Sequence, residues 1–246
     1  MANTDEIMYD LSGLPTDNTE LLSKIHISNP RDNAGGKGKS ARVGFGRAEK
    51  IVYFQSSRVY CPFGTNVYKA DSGIESTRLL ITLRKDAKGV NDFIRLVKAM
   101  DEAVVKHAFE NQDLYFGTAA KDYKSLEIIK DRHHPIYQER DMYDPQLKLK
   151  VDENLTRVYD KSQGMARVEG TNVPPQVTGR AIVAFGPVWC VSGKFGMMVR
   201  CEQFLIINAG MSIKRGFDTC VLKDDDDEDD DKAARADEAD GPYVPY

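Results

Sequence analysis

Thr77-Arg78-Leu79-Leu80-Ile81-Thr82-Leu83, followed by Phe93, Leu96, Val97, Met100, Val104 and Ala108, decides the fold. The first stretch is almost continuously apolar, which predicts a central β-strand. In the second, apolar residues recur at helical spacing, with Arg95, Lys98, Asp101, Glu102 and Lys106 between them. That predicts one amphipathic helix over roughly 92–110, capped by Asn91 or Asp92. Its mixed charges give no basic stripe, so it is a poor reader of duplex DNA.

Working outward, short strands surround this helix. Ile51-Val52-Tyr53-Phe54 and Arg58-Val59-Tyr60 are aromatic and β-branched, bounded by Gly64 and Gly73. Leu147-Lys148-Leu149-Lys150-Val151 alternates strictly, with both lysines on one face. Thr156-Arg157-Val158-Tyr159, Gly179 to Phe185 and Phe195 to Ile207 complete the set, and 186–193 reads as a hairpin or broad turn. Residues 111–146 show no clear period. The expected class is mainly β with one long helix, a small barrel or sandwich.

Charge divides the chain. Asp224-Asp225-Asp226-Asp227-Glu228-Asp229-Asp230-Asp231 is an unbroken run of eight acids. Residues 224–246 hold eleven acids and two bases, a net of −9, whereas the whole chain has 34 bases and 38 acids, a net of −4. Residues 1–223 therefore carry 32 bases against 27 acids, a net of +5. No core absorbs so many like charges, so 224–246 is expected to be a disordered acidic tail. Residues 1–50, rich in Gly and in bases such as Arg42 and Arg47, read as a flexible basic segment. That leaves 51–223 as one domain, which the features below mark as the nucleic-acid-binding one.

Several classes are disfavoured. No stretch approaches the length of an apolar membrane span, so no membrane partner is expected. An acidic start, Met1 to Glu6, lacks the pattern of a secretion signal, which predicts reduced thiols at Cys61, Cys190, Cys201 and Cys220. His133-His134 has no cysteine at ligand spacing, so no metal is expected. Gly38-Lys39-Ser40 lacks the earlier glycine of a phosphate-binding P-loop, and no serine-hydrolase or dinucleotide motif occurs. Neither an enzyme nor a cofactor is expected.

The positive signal is interleaving of bases and rings. Tyr53, Arg58 and Tyr60 fall in one strand region; Lys148, Lys150, Arg157 and Tyr159 in another; Arg180, Trp189, Lys194 and Phe195 around the last hairpin. Cations that follow phosphates and rings that stack on unpaired bases are what single-stranded nucleic acid requires. Trp189 is read equally as a loop anchor or a stacking platform.

Val173-Pro174, Gly179-Arg180-Ala181-Ile182-Val183, Pro187-Val188-Trp189, Gly193-Lys194-Phe195-Gly196-Met197 and Phe204-Leu205, with the basic body and acidic tail, resemble viral single-stranded-DNA-binding proteins. The type is the OB fold of certain tailed phages, with related proteins in large DNA viruses. The resemblance implies an OB-like barrel with an inserted amphipathic helix and an intracellular role at the site of viral DNA replication, in replication, repair or recombination. The +5 body beside the −9 tail leads to the expectation that the tail competes for the DNA groove and, once freed with Tyr246, recruits a polymerase or helicase; the resemblance also implies a possible homodimer. Two alternatives stay open: an acidic-tailed chaperone or adaptor for basic proteins, and a structural virion protein.

Overall fold

The computed structural model describes residues 8–46, 51–69, 73, 75–117, 125–140 and 143–208. In chain order they form β1 Met8–Tyr9, α1 Asn18–Ser23, β2 Ile25–Ile27, β3 Arg31–Asp32, β4 Lys39–Ala41, β5 Val43–Phe45 and β6 Val52–Gln55. Next come β7 Val59–Cys61, β8 Thr65–Lys69, β9 Glu75–Thr82, α2 Val90–Glu110, α3 Gln112–Phe116 and α4 Leu126–Arg132. The last are β10 His133–His134, β11 Tyr137–Arg140, β12 Tyr143–Val151, β13 Arg157–Asp160, β14 Ala166–Arg167, β15 Val177–Val191 and β16 Lys194–Asn208.

Five strands close on themselves. β7 pairs with β9, β9 with β12, β12 in parallel with β16, β16 with β15, and β15 back with β7. Taken in chain order, the ring runs first, second, third, fifth, fourth. This is the connectivity of an OB-like Greek-key barrel, and closure leaves those strands no edge. Alternation drives it: Leu79 and Ile81 of β9 and Leu147, Leu149 and Val151 of β12 are buried inside, and the residues between them face out. Gly179 of β15 lets the barrel close. A Cβ there would lie 2.4 Å from the Phe204 ring and 2.5 Å from the Leu205 carbonyl.

α2 starts at Val90, earlier than expected. Gly89 takes the cap position at φ 76°, with no side-chain cap, so neither Asn91 nor Asp92 is the cap. Phe93, Leu96, Val97, Met100, Val104 and Ala108 are all buried, as the spacing predicts. The polar side is engaged too. Arg95 donates to the Thr16 carbonyl, Lys98 lies 4.7 Å from the centre of the Tyr137 ring, and Asp101 accepts from the Ile136 and Tyr137 amides.

Two expectations are corrected. Residues 8–46 are not a loose arm: β1 adds in parallel to β6, β2 pairs with β5, and β4 pairs with β15. Buried Leu14, Leu21, Val43 and Phe45 give the segment a core contribution that its glycine-rich middle obscures. The supposed turn over 186–193 is mostly strand. Val188 to Val191 pair with Met197 to Lys194, and a register shift after Phe185 accommodates Gly186-Pro187, the kind of place a strand tolerates proline. Only Ser192-Gly193 turns. The uneven stretch 111–146 holds α3, α4, β10 and β11.

Candidate nucleic-acid interface

The outward face of β9 and β12 sets Arg78, Leu80 and Thr82 directly opposite Lys150, Lys148 and Gln146. The Lys150 row continues to Arg200 on β16. Arg78 lies over the Tyr68 ring, 4.4 Å from its centre, and Arg200 is held by Glu202 at 2.5 Å. Lys148 and Lys150 are exposed, and neither has an ion-pair partner among the described residues. In OB barrels this second-and-third-strand face is the surface that takes oligonucleotides.

At one end of the face, Tyr60, Phe63, Leu80, Tyr143 and Lys148 line a groove of about 750 Å³, with Arg84 at its edge. Phe63 is 62% and Tyr143 70% exposed. Large rings left this open mark a surface built for contact. Arg84 also lines a second groove of about 490 Å³ with Arg58, Lys88, Thr178 and Arg180. Arg180 in turn lines a third of about 310 Å³ with Gln55, Tyr159, Met165, Ile182, Gln203 and Leu205. The shared arginines join the three into one track around the barrel. Its charge is mainly positive, offset by Asp144 in the first groove and by Asp86, 3.2 Å from Arg84, in the second. Rings, an apolar floor and spaced cations are the parts needed to stack bases and hold phosphates.

The track gathers Tyr60, Lys148, Arg58, Arg180 and Tyr159 from distant parts of the chain. Arg157 sits opposite Gln203 beside the third groove, and Lys150 lies in the basic row. Tyr53 is half-buried on β6, two residues before Gln55. Arg42 belongs elsewhere, in a groove with His26, Arg31 and Pro187. Lys194 is exposed at the turn between β15 and β16. Trp189 is half-buried, 5.6 Å from the His134 ring and against Gly196, a position that fits an anchor.

Phe195 is corrected outright. It is fully buried among Tyr115, Phe116 and His133 and cannot meet a base. β16 sets it on an inward-facing position, so its apolar ring fills the core. Arg47, the acids from Asp224 to Asp231 and Tyr246 lie outside the described residues. Sequence reading missed Tyr143, Arg84 and Lys88 as site residues. The alternation of β12 does run back to Tyr143, but Asp144-Pro145 interrupts its apolar pattern.

The buried thiols take no part. Burial pushes Cys61 up to about 12 and raises Cys201 further, so neither is a thiolate at neutral pH. Among the described residues no helix is long and apolar enough to cross a membrane.

No known protein family matches the chain, and no curated protein matches it. Solved structures do. The single-stranded DNA-binding protein of bacteriophage Enc34 in complex with ssDNA aligns at 9% identity and a TM-score of 0.42, over 74% of this chain and 92% of that one. The gp2.5 single-stranded DNA-binding protein of bacteriophage T7 aligns at 12% identity and a TM-score of 0.46, over 80% of this chain and 100% of that one. These are likenesses of architecture. By its own strand pairings this chain is an OB-like barrel with an inserted helix, carrying a basic, aromatic outer face.

Proposed function

We propose that this protein binds single-stranded DNA largely without regard to sequence, by a non-enzymatic mechanism. The observation that carries the reading is the first groove, where exposed Phe63 and Tyr143 stand with Tyr60 beside Arg84, Lys148 and the Arg78–Lys150–Arg200 row. Unstacked bases would lie on the rings, each stack contributing about 1–3 kcal/mol, while the cations follow the phosphates. Duplex DNA hides its ring faces, and Arg95, Lys98 and Lys106 of α2 are engaged with neighbouring groups. Titration of labelled oligo(dT) with blunt duplex as competitor tests this. Tight, salt-sensitive binding of oligo(dT) with little duplex competition is expected; equal competition by duplex contradicts it.

In this reading the protein serves viral DNA replication, repair or recombination inside the host cell. The net −9 of residues 224–246 against the +5 of the rest suits a tail that competes with phosphate for the basic face. DNA would free it, with Tyr246, to recruit a polymerase or helicase. Deleting 224–246 should therefore tighten oligo(dT) binding, most at low salt; unchanged affinity contradicts the competition. Binding of basic proteins without DNA binding would favour the chaperone alternative.

A further inference from the structure

The third groove carries features that phosphate tracking does not need. Its floor is Ile182 of β15, and Gln55 of β6 and Gln203 of β16 stand directly opposite Ile182 on its two sides. Neighbouring strands are about 4.8 Å apart, so the two glutamines flank Ile182, each one strand away from it. Neither amide makes a hydrogen bond among the described residues. Gln203 owes its place to an irregularity: Ile182 pairs with Gln203 but Val183 with Cys201, so Glu202 is an extra residue on β16. Such bulges re-aim side chains. Here the shift brings Gln203 outward while Cys201 and Phe204 on either side stay buried.

The wall is also built. Tyr159 and Arg180 lie opposite Leu205 from its two sides. Met165, 52% exposed, closes the remaining side with its backbone at φ 66°, a left-handed conformation uncommon for a residue with a side chain. The preceding turn is fastened by Asp160, whose carboxylate accepts from the Ser162 amide and hydroxyl and whose carbonyl accepts from the Met165 amide.

We propose that this groove takes one unpaired nucleobase and prefers adenine. The base would rest on Ile182 and Leu205, flanked by Tyr159 and Met165. Arg180 would hold the adjoining phosphate, and the Gln55 and Gln203 amides would meet the base edge. A glutamine amide matches adenine because it can accept from N6 and donate to N7 together. The groove thus adds one base-reading position to a track that otherwise ignores sequence. The inference rests on the single-stranded DNA reading above.

The test is anisotropy titration of the full chain with oligo(dT), with the same oligo carrying one adenine, and with one 7-deazaadenine, which lacks N7. The wild-type chain should bind the adenine oligo about fivefold or more tightly than oligo(dT), and the 7-deaza analogue should lose most of that gain. Gln203→Ala and Gln55→Ala should abolish the preference, so that each variant binds the adenine oligo and oligo(dT) with the same Kd. Equal binding of all three oligos by the wild-type chain overturns the adenine pocket but leaves the DNA-binding reading intact. A preference that survives both glutamine variants also overturns it. Failure to bind any of the oligos overturns the underlying reading.

Discussion

Arg78 and Lys150 stand directly opposite each other across β9 and β12, both exposed on the outer face. Like charges in that relation destabilise a sheet by some tenths of a kcal/mol. Arg200, next in the row, has Glu202 to offset it, but Lys150 makes no ion pair among the described residues. The barrel thus holds a repulsion that a phosphate would relieve.

Lys150→Gln should accordingly leave thermal stability unchanged or slightly raised, and weaken oligo(dT) binding. The slope of log affinity against log salt should shrink by about 0.7, the share of one phosphate contact on a single strand. An unchanged slope would place the phosphates elsewhere.

Tyr143 is the most exposed ring of the first groove, at 70%, so little folding energy depends on it. Tyr143→Ala should raise the Kd for oligo(dT) by roughly fivefold to a hundredfold, from the loss of one stack of about 1–3 kcal/mol. The urea midpoint should stay where it is. A large fall in stability with intact affinity would make Tyr143 a structural residue.

Phe195 should behave in the opposite way. Phe195→Ala empties a fully buried site beside Tyr115 and Phe116 and should cost about 3–5 kcal/mol in stability. Phe195→Leu, which keeps more of the volume, should bind oligo(dT) as the wild type does under conditions where it is folded. Denaturant curves and titrations on the two variants separate these effects.

Alternation and helical period made much of this barrel readable in advance. The Leu147–Val151 pattern placed Lys148 and Lys150 outside and Leu149 inside, and the spacing from Phe93 to Ala108 placed α2. Which aromatic of an alternating strand faces in depends on register, which the pattern alone does not give; hence Phe195 reads as a site residue in the sequence but fills the core. Local pattern also misses pairing between distant segments. β4 reaches Val188–Cys190 of β15 from the far end of the chain, which makes strand of a stretch whose Gly and Pro suggest a turn. Arg84 and Arg180 become neighbours of one track only when the ring closes, and nothing local marks that.

His107 gives the fold a pH dependence. It is half-buried, with Nδ1 3.0 Å from the Tyr115 hydroxyl, and burial lowers its proton affinity more than Glu110 raises it. The unfolded chain takes up that proton near about pH 6.5 while the folded one resists. Below that pH the unfolded state holds more protons, so stability falls as pH drops through this window. Urea midpoints at about pH 7.5 and about pH 5.5 should differ for the wild type, and His107→Gln should narrow the difference. An unaltered difference would assign it to other groups.

The central claim is that a single strand lies on the outer β9–β12 face and continues past Arg84 and Arg180. Photocrosslinking of an oligo(dT) carrying 5-iododeoxyuridine, followed by peptide mapping, reads that contact directly. Adducts should concentrate at Tyr60, Phe63, Tyr143 and Tyr159, and excess unlabelled oligo(dT) should remove them. Adducts confined to Trp189 or to the groove of Arg31 and Arg42, with the β9–β12 rings unmodified, would contradict the account.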